Sequence, residues 1–184
     1  MNAELENYQD QLLSIKQGAP GIVRGLSPTQ FNRRPAPDRW SVAESLDHLN
    51  LTARRFLPFF DQSIDAAVVR GLTAPGPFAY PLLERLFLVA MEPPPRVRIR
   101  APSAFIPARN RAVDEVLREF TDWQDRLGER IRRADGLDLR RARLRSPFVP
   151  WVRYSLGIGF AVILAHERRH LWQARQVRNE LDRA

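Results

Sequence analysis

The chain has 184 residues, 44% apolar and 27% charged, which suits a single domain spanning 1–184 with a substantial core and argues against disorder. It contains no cysteine, so disulfides, thiolate nucleophiles and cysteine metal sites are excluded, and any thiol chemistry needs a small-molecule thiol as substrate. The formal charge is +8, nearly all of it from arginine because Lys16 is the only lysine, and the densest basic stretch, RIRRADGLDLRRARLR at 130–145, lacks the interleaved aromatics that stack on bases.

That stretch is expected to be a solvated, charged connection, and no specific nucleic-acid partner is expected. The N-terminus, MNAELENYQD, is acidic and polar and does not read as a secretory signal. The longest apolar run, LGIGFAVILA at 156–165, is far short of a membrane span. A cytoplasmic protein with no membrane partner is the expectation.

In chain order, Leu5, Tyr8, Leu12 and Ile15 recur at helical spacing and resume at Ile22, Val23 and Leu26. GAPG at 18–21 predicts a kink or break between them, since Pro20 has no N–H to donate. A turn-rich link follows, with one short helical turn after Ser27. Ser41 and Glu44 form a capping box that opens the second main helix. Its apolar face is read as Val42, Leu46, Leu49, Phe56, Phe60, Ile64 and Val68, continuing past Pro58.

PLLERLFLVAM at 81–91 predicts a shorter apolar helix, and EPPPRVRIRAPSAFIPAR a long extended connection of the kind that crosses between the ends of a bundle. The third main helix is predicted over about 110–134, with Val113, Val116, Leu117, Phe120, Leu127 and Ile131 inward. The fourth is predicted over about 155–182, with Leu156, Phe160, Ile163, His166, His170, Ala174, Val177 and Leu181 on one stripe. No run shows strand alternation. The fold class is an all-α four-helix bundle with long crossover connections.

Only three histidines occur, and the patterns turn all of them toward the core. His166 and His170 are four apart and project from one helical face a turn apart, the spacing at which two imidazoles share a metal. Two stacked inward imidazoles are costly to bury unless something occupies the space between them. His48 lies on or beside the inward face of the second main helix. Together the three make a metal site.

HERRH at 166–170 also matches the H-E-x-x-H signature of zinc proteases. Such proteases take a third ligand downstream, for example a histidine six residues on, and position 176 is Gln. They also need a strand edge for an extended peptide. Glu167 is expected to turn away from His166 into a surface or bundle-edge ion pair with a neighbouring arginine.

RPAPDRWSVAESLDHL at 34–49 and AHERRHLWQARQV at 165–177, in that order around the proline-rich crossover, resemble the DinB-like family of bacterial four-helix-bundle metalloproteins. The resemblance covers nearly the whole chain. It implies that His48, His166 and His170 are the metal ligands, that the metal is divalent (nickel or zinc), and that the protein is a homodimer.

It further implies a thiol-dependent S-transferase that joins a low-molecular-weight thiol, such as bacillithiol or mycothiol, to a small electrophilic substrate. A metal-dependent hydrolase uses the same site, and a non-catalytic metal-binding bundle is also compatible with the sequence. No catalytic residue is identifiable. Glu44 is read as a cap rather than as the orienter of His48. Gln173 either reaches the site or fills a polar gap, Trp40 and Trp172 are core or pocket-wall aromatics, and Arg169 either binds an anionic substrate or makes an ion pair.

Overall fold

The computed structural model describes residues 1–94, 100–149 and 151–183. In chain order these form α1 (Ala3–Val23), α2 (Pro28–Asn32), α3 (Val42–Val69), α4 (Leu82–Met91), a 3₁₀ turn at Ser103–Phe105, α5 (Val113–Arg133), β1 (Arg143–Arg145), β2 (Arg153–Ser155) and α6 (Leu156–Leu181). The expected all-α bundle is α1, α3, α5 and α6. Part of the predicted extended connection, residues 95–99, lies outside the described residues.

Each main helix packs on two others: α1 on α5 and α6, and α3 on the same pair, so α1 is diagonal to α3 and α5 to α6. Cross-links fix the directions. Gln9 donates to the Gly128 carbonyl at 2.8 Å and Lys16 pairs with Asp125, so α1 and α5 are antiparallel. Asn50 donates to the Val116 carbonyl and Arg130 pairs with Asp61, so α3 and α5 are parallel. Parallel neighbours cannot be joined by a tight turn. The chain must return along the whole bundle, which is why a crossover containing α4 separates α3 from α5.

The core is aromatic at its centre. Phe60 of α3 stacks on Phe160 of α6 with ring centres 4.6 Å apart, and Phe31, Phe56 and Phe120 are also fully enclosed. Helix α6 is the most enclosed element: every residue from Leu156 to Glu167 is buried. Among the described residues, no helix is long and apolar enough to cross a membrane.

Four expectations need correction. GAPG does not break α1, which runs unbroken through Pro20 to Val23. Burial of Ala19, Ile22 and Val23 holds the last turn on the bundle, and the helix stops instead ahead of Gly25, at φ +76°. Val68 is not inward but 61% exposed: the buried face at the end of α3 runs through Ser63, Ile64 and Ala67, and Val68 falls past its edge.

The 130–145 stretch is not a solvated connection. Arg130–Arg133 belong to α5, while Leu137, Leu139, Ala142 and Leu144 are core residues alternating with exposed arginines. A short strand pair was also missed: β1 and β2 pair antiparallel, Leu144 opposite Tyr154, both buried. Three-residue strands are too short for alternation to stand out from a helical pattern.

Candidate metal centre

The site is assembled from the start of α3, the middle of α6 and one loop. At the start of α3, Ser41 accepts from the Glu44 N–H at 3.1 Å while Glu44 accepts from the Ser41 N–H at 3.0 Å. Glu44 is also gripped by Arg34, whose Nε lies 2.7 Å from Oε2. The cap fixes where α3 begins and so the face on which His48 emerges, two turns in. Burial works to raise the Glu44 carboxyl, but the Arg34 and Ser41 hydrogen bonds outweigh it and hold the group below its usual range.

Opposite His48, α6 delivers His166 and His170. The ring centres are 5.2 Å apart for His48 and His166, 4.4 Å for His48 and His170, and 4.5 Å for His166 and His170. One nitrogen from each of the three lies within 4.8 Å of the other two. The three histidines are 3%, 9% and 9% exposed, so the site is enclosed.

Trp40 lies against His48 at 4.7 Å and against His170 at 5.8 Å, while Phe148 flanks His166 at 6.0 Å. Trp40 is therefore a wall of the site. Trp172 is half-buried and makes no ring contact among the described residues.

His48 has a defined tautomer. Its Nδ1 lies 2.7 Å from the Phe105 carbonyl oxygen, and a carbonyl can only accept, so Nδ1 carries the proton and Nε2 presents a lone pair to the other histidines. The carbonyl comes from the crossover, and Asp47 holds that segment in place. Asp47 accepts from the Ala108 N–H at 2.8 Å and pairs with Arg111 at 2.7 Å. Sequence reasoning missed Phe105 because a backbone carbonyl has no residue signature. The acidic residue directly before His48 was the available clue.

All three imidazoles are neutral at neutral pH. Burial is the largest cause, pushing His48 down to about 4 and His166 and His170 well below their ordinary value. Mutual repulsion among the rings and the nearby Arg169 push the latter two further, and Gln173 acts on His170 in the opposite sense. Gln173 thus reaches the site. Neutral imidazole is the form a metal requires. His166 Nδ1 is buried with no hydrogen-bond partner among the described residues. An enclosed set of neutral nitrogen donors fits a divalent ion of intermediate softness, such as zinc or nickel.

Glu167 departs from expectation. It is 1% exposed rather than on the surface, and its Oε1 accepts from Gln124 Nε2 at 2.9 Å. Burial pushes its carboxyl up to about 7. A 100° turn from His166 leads toward α5, since α6 is enclosed on every side at this depth. Glu44 is held by Ser41 and Arg34, with Arg109 3.7 Å away, rather than serving His48.

The chain is thus a four-helix bundle with a crossover, enclosing between α3 and α6 a three-histidine cluster that could hold a metal ion. The model of the DinB superfamily matches residues 16–174, which takes in all three histidines, the whole of α3 and α5, and parts of α1 and α6. The chain belongs to that superfamily. It is similar to Uncharacterized protein YuaE of Bacillus subtilis (strain 168), 26% identical over 166 residues, covering 88% of this chain and 91% of that one. No solved structure matches the chain at a significant level.

Proposed function

We propose that the protein binds a divalent ion, nickel or zinc, through His48, His166 and His170, and uses it to transfer a low-molecular-weight thiol to a small electrophile. The observation that carries the reading is the convergence of three neutral imidazole donors within 4.8 Å inside an aromatic-walled enclosure. Three neutral ligands leave the charge of a divalent ion uncancelled, which lowers the pKa of a thiol or water that joins it.

The chain's own residues supply position and selectivity. His48 is held in one tautomer by the Phe105 carbonyl, so its lone pair needs no reorientation. Trp40 and Phe148 keep water from two sides of the rings. Arg169, 7% exposed beside His170, brings a positive charge to the edge of the site, where an anionic group of a substrate fits. The absence of cysteine supports a thiol that arrives as substrate, because no thiolate of the chain competes for the ion.

The test has two stages. Elemental analysis of protein purified without a metal-affinity tag is expected to find nickel or zinc in stoichiometric amount, and metal-free protein that also fails to take up either ion sinks the reading. Thiol consumption is then measured with bacillithiol, mycothiol and aromatic electrophiles, alongside ester and amide turnover. Metal-dependent thiol loss supports the transferase, hydrolysis alone replaces it with a hydrolase, and inactivity of the loaded protein in both leaves a metal-binding bundle.

A further inference from the structure

The basic stretch at 130–145 takes no part in the metal centre, and its arginines fall into different settings. Arg130 and Arg133 are paired on α5, whereas Arg140 and Arg141 stand in the turn ahead of β1 and Arg143 opens that strand. These last three line a depression of about 540 Å³ together with Arg70, Asp138 and Pro81.

Arg70 comes from a different part of the chain, as the C-cap of α3. Backbone pairing between the loops after α3 and α5 brings it there. The Asp138 N–H donates to the Leu72 carbonyl at 2.9 Å and the Ala74 N–H to the Gly136 carbonyl at 3.2 Å, around a bridge between Thr73 and Leu137. Asp138 also fixes the arginine turn, since its Oδ1 accepts from the N–H groups of Arg140 and Arg141 at 3.1 and 3.0 Å. Leu139, Ala142 and Leu144 are buried between the arginines, so the core grips this backbone and leaves Arg140, Arg141 and Arg143 at the surface. Arg143 is held by the Ser155 hydroxyl, the Arg153 carbonyl and Glu84.

Charge in the depression is not balanced. Four guanidinium groups meet two carboxylates, Asp138 in the lining and Glu84 against Arg143. Arg70, Arg140 and Arg141 are exposed and have no ion-pair partner among the described residues. Other arginines at the surface do find carboxylates: Arg39 has Glu180, Arg133 has Asp61 and Asp65, and Arg178 has Asp182. A concave surface of one sign concentrates the field that draws in an anion, and the planar fork of arginine donates in pairs to phosphate oxygens.

The lining also sets the chemistry of the ligand. Pro81 is its sole apolar member among the described residues, so no wall receives a ring or an alkyl chain and charge must supply the affinity. At its size the depression takes more than one phosphate group. We propose that Arg70, Arg140, Arg141 and Arg143 form a binding site for a soluble ligand carrying two or more linked phosphate groups. The site is separate from the metal centre and independent of the metal reading. Arg70 lies beyond the far end of α3 from His48, about 33 Å away at 1.5 Å per residue.

Equilibrium dialysis of the full chain against pyrophosphate and tripolyphosphate at physiological salt tests this, with monophosphate and sulfate as comparison ions. Saturable binding of one tripolyphosphate per chain is expected, at least about tenfold tighter than sulfate. Arg70→Ala and Arg141→Ala are each expected to weaken it about tenfold. Arg118→Ala, on exposed α5, removes the same charge and is expected to change little. His48→Ala is expected to bind as the parent does, which separates this site from phosphate held by a metal ion. The substituted arginines are exposed, so helical circular dichroism should be unchanged in each variant. Absence of saturable binding, equal affinity for sulfate, an equal loss in Arg118→Ala, or loss in His48→Ala overturns the proposal. Flotation of the chain with phosphatidylglycerol vesicles while the soluble phosphates stay unbound also overturns it, and gives the arginines to a membrane surface.

Discussion

His48 Nε2 and His166 Nε2 lie 3.3 Å apart, brought together from positions 118 residues apart in the chain. Since His48 keeps its proton on Nδ1, its Nε2 offers a lone pair to its neighbour. Either a proton carried by His166 or a cation beside both nitrogens must answer it. With the His170 ring 4.4 Å from His48 and no acid among the three donors, a divalent cation satisfies more of the cluster than one shared proton.

His48→Ala is therefore expected to abolish bound metal while leaving the bundle folded. His48 is the sole member of the triad on α3, so no neighbour replaces it. Metal analysis together with far-ultraviolet circular dichroism checks both halves, and full metal content in the variant would remove His48 from the ligand set.

Glu167→Gln is expected to keep metal content and any activity within a few-fold of the parent. Glu167 faces Gln124 of α5, and an amide preserves the shape of that buried contact. A protease of the H-E-x-x-H type needs this glutamate as general base and would lose orders of magnitude. Peptide hydrolysis by the parent that vanishes in the variant would restore the protease reading.

Arg34→Ala is expected to cost ~1–3 kcal/mol of stability at neutral pH, because it leaves a buried carboxylate at the cap of α3 with only the Ser41 N–H and the more distant, exposed Arg109. Glu44 is held below its usual range, so its contribution is complete above the unfolded value of 4.5 and fades as pH falls below it. The gap between parent and variant should therefore narrow in acid. Urea unfolding of both proteins from pH 7 down to pH 3 measures it, and a gap that widens in acid contradicts the assignment.

Duplex DNA should bind weakly, without sequence preference, and release at physiological salt. Three of the seven arginines of the basic stretch are in ion pairs: Arg130 and Arg133 with Asp61, and Arg143 with Glu84. Non-specific phosphate contacts typically give dissociation constants of roughly 10⁻⁴–10⁻⁶ M and weaken steeply with salt. Titrating unrelated duplexes across a salt series checks this, and tight binding of one sequence at physiological salt would show that the basic surface has a nucleic-acid role.

Read alone, the sequence determined the four main helices, the capping box at Ser41 and Glu44, and the three histidines as one inward-facing group. Each is written in local spacing: a 3.6-residue period, a cap four positions long, and an i, i+4 pair. Tertiary structure decided what depends on neighbours distant in the chain. Pro20 stays helical because its turn is packed, and Glu167 is buried because α6 is surrounded at that depth. The Phe105 carbonyl orients His48 because Asp47 holds the crossover against α3. The apolar period of α4 reads the same whether its leucines face the core or the solvent. They face the solvent, and Glu84 is turned inward to partners, Arg143 and Ser155, that lie some sixty to seventy residues further along the chain.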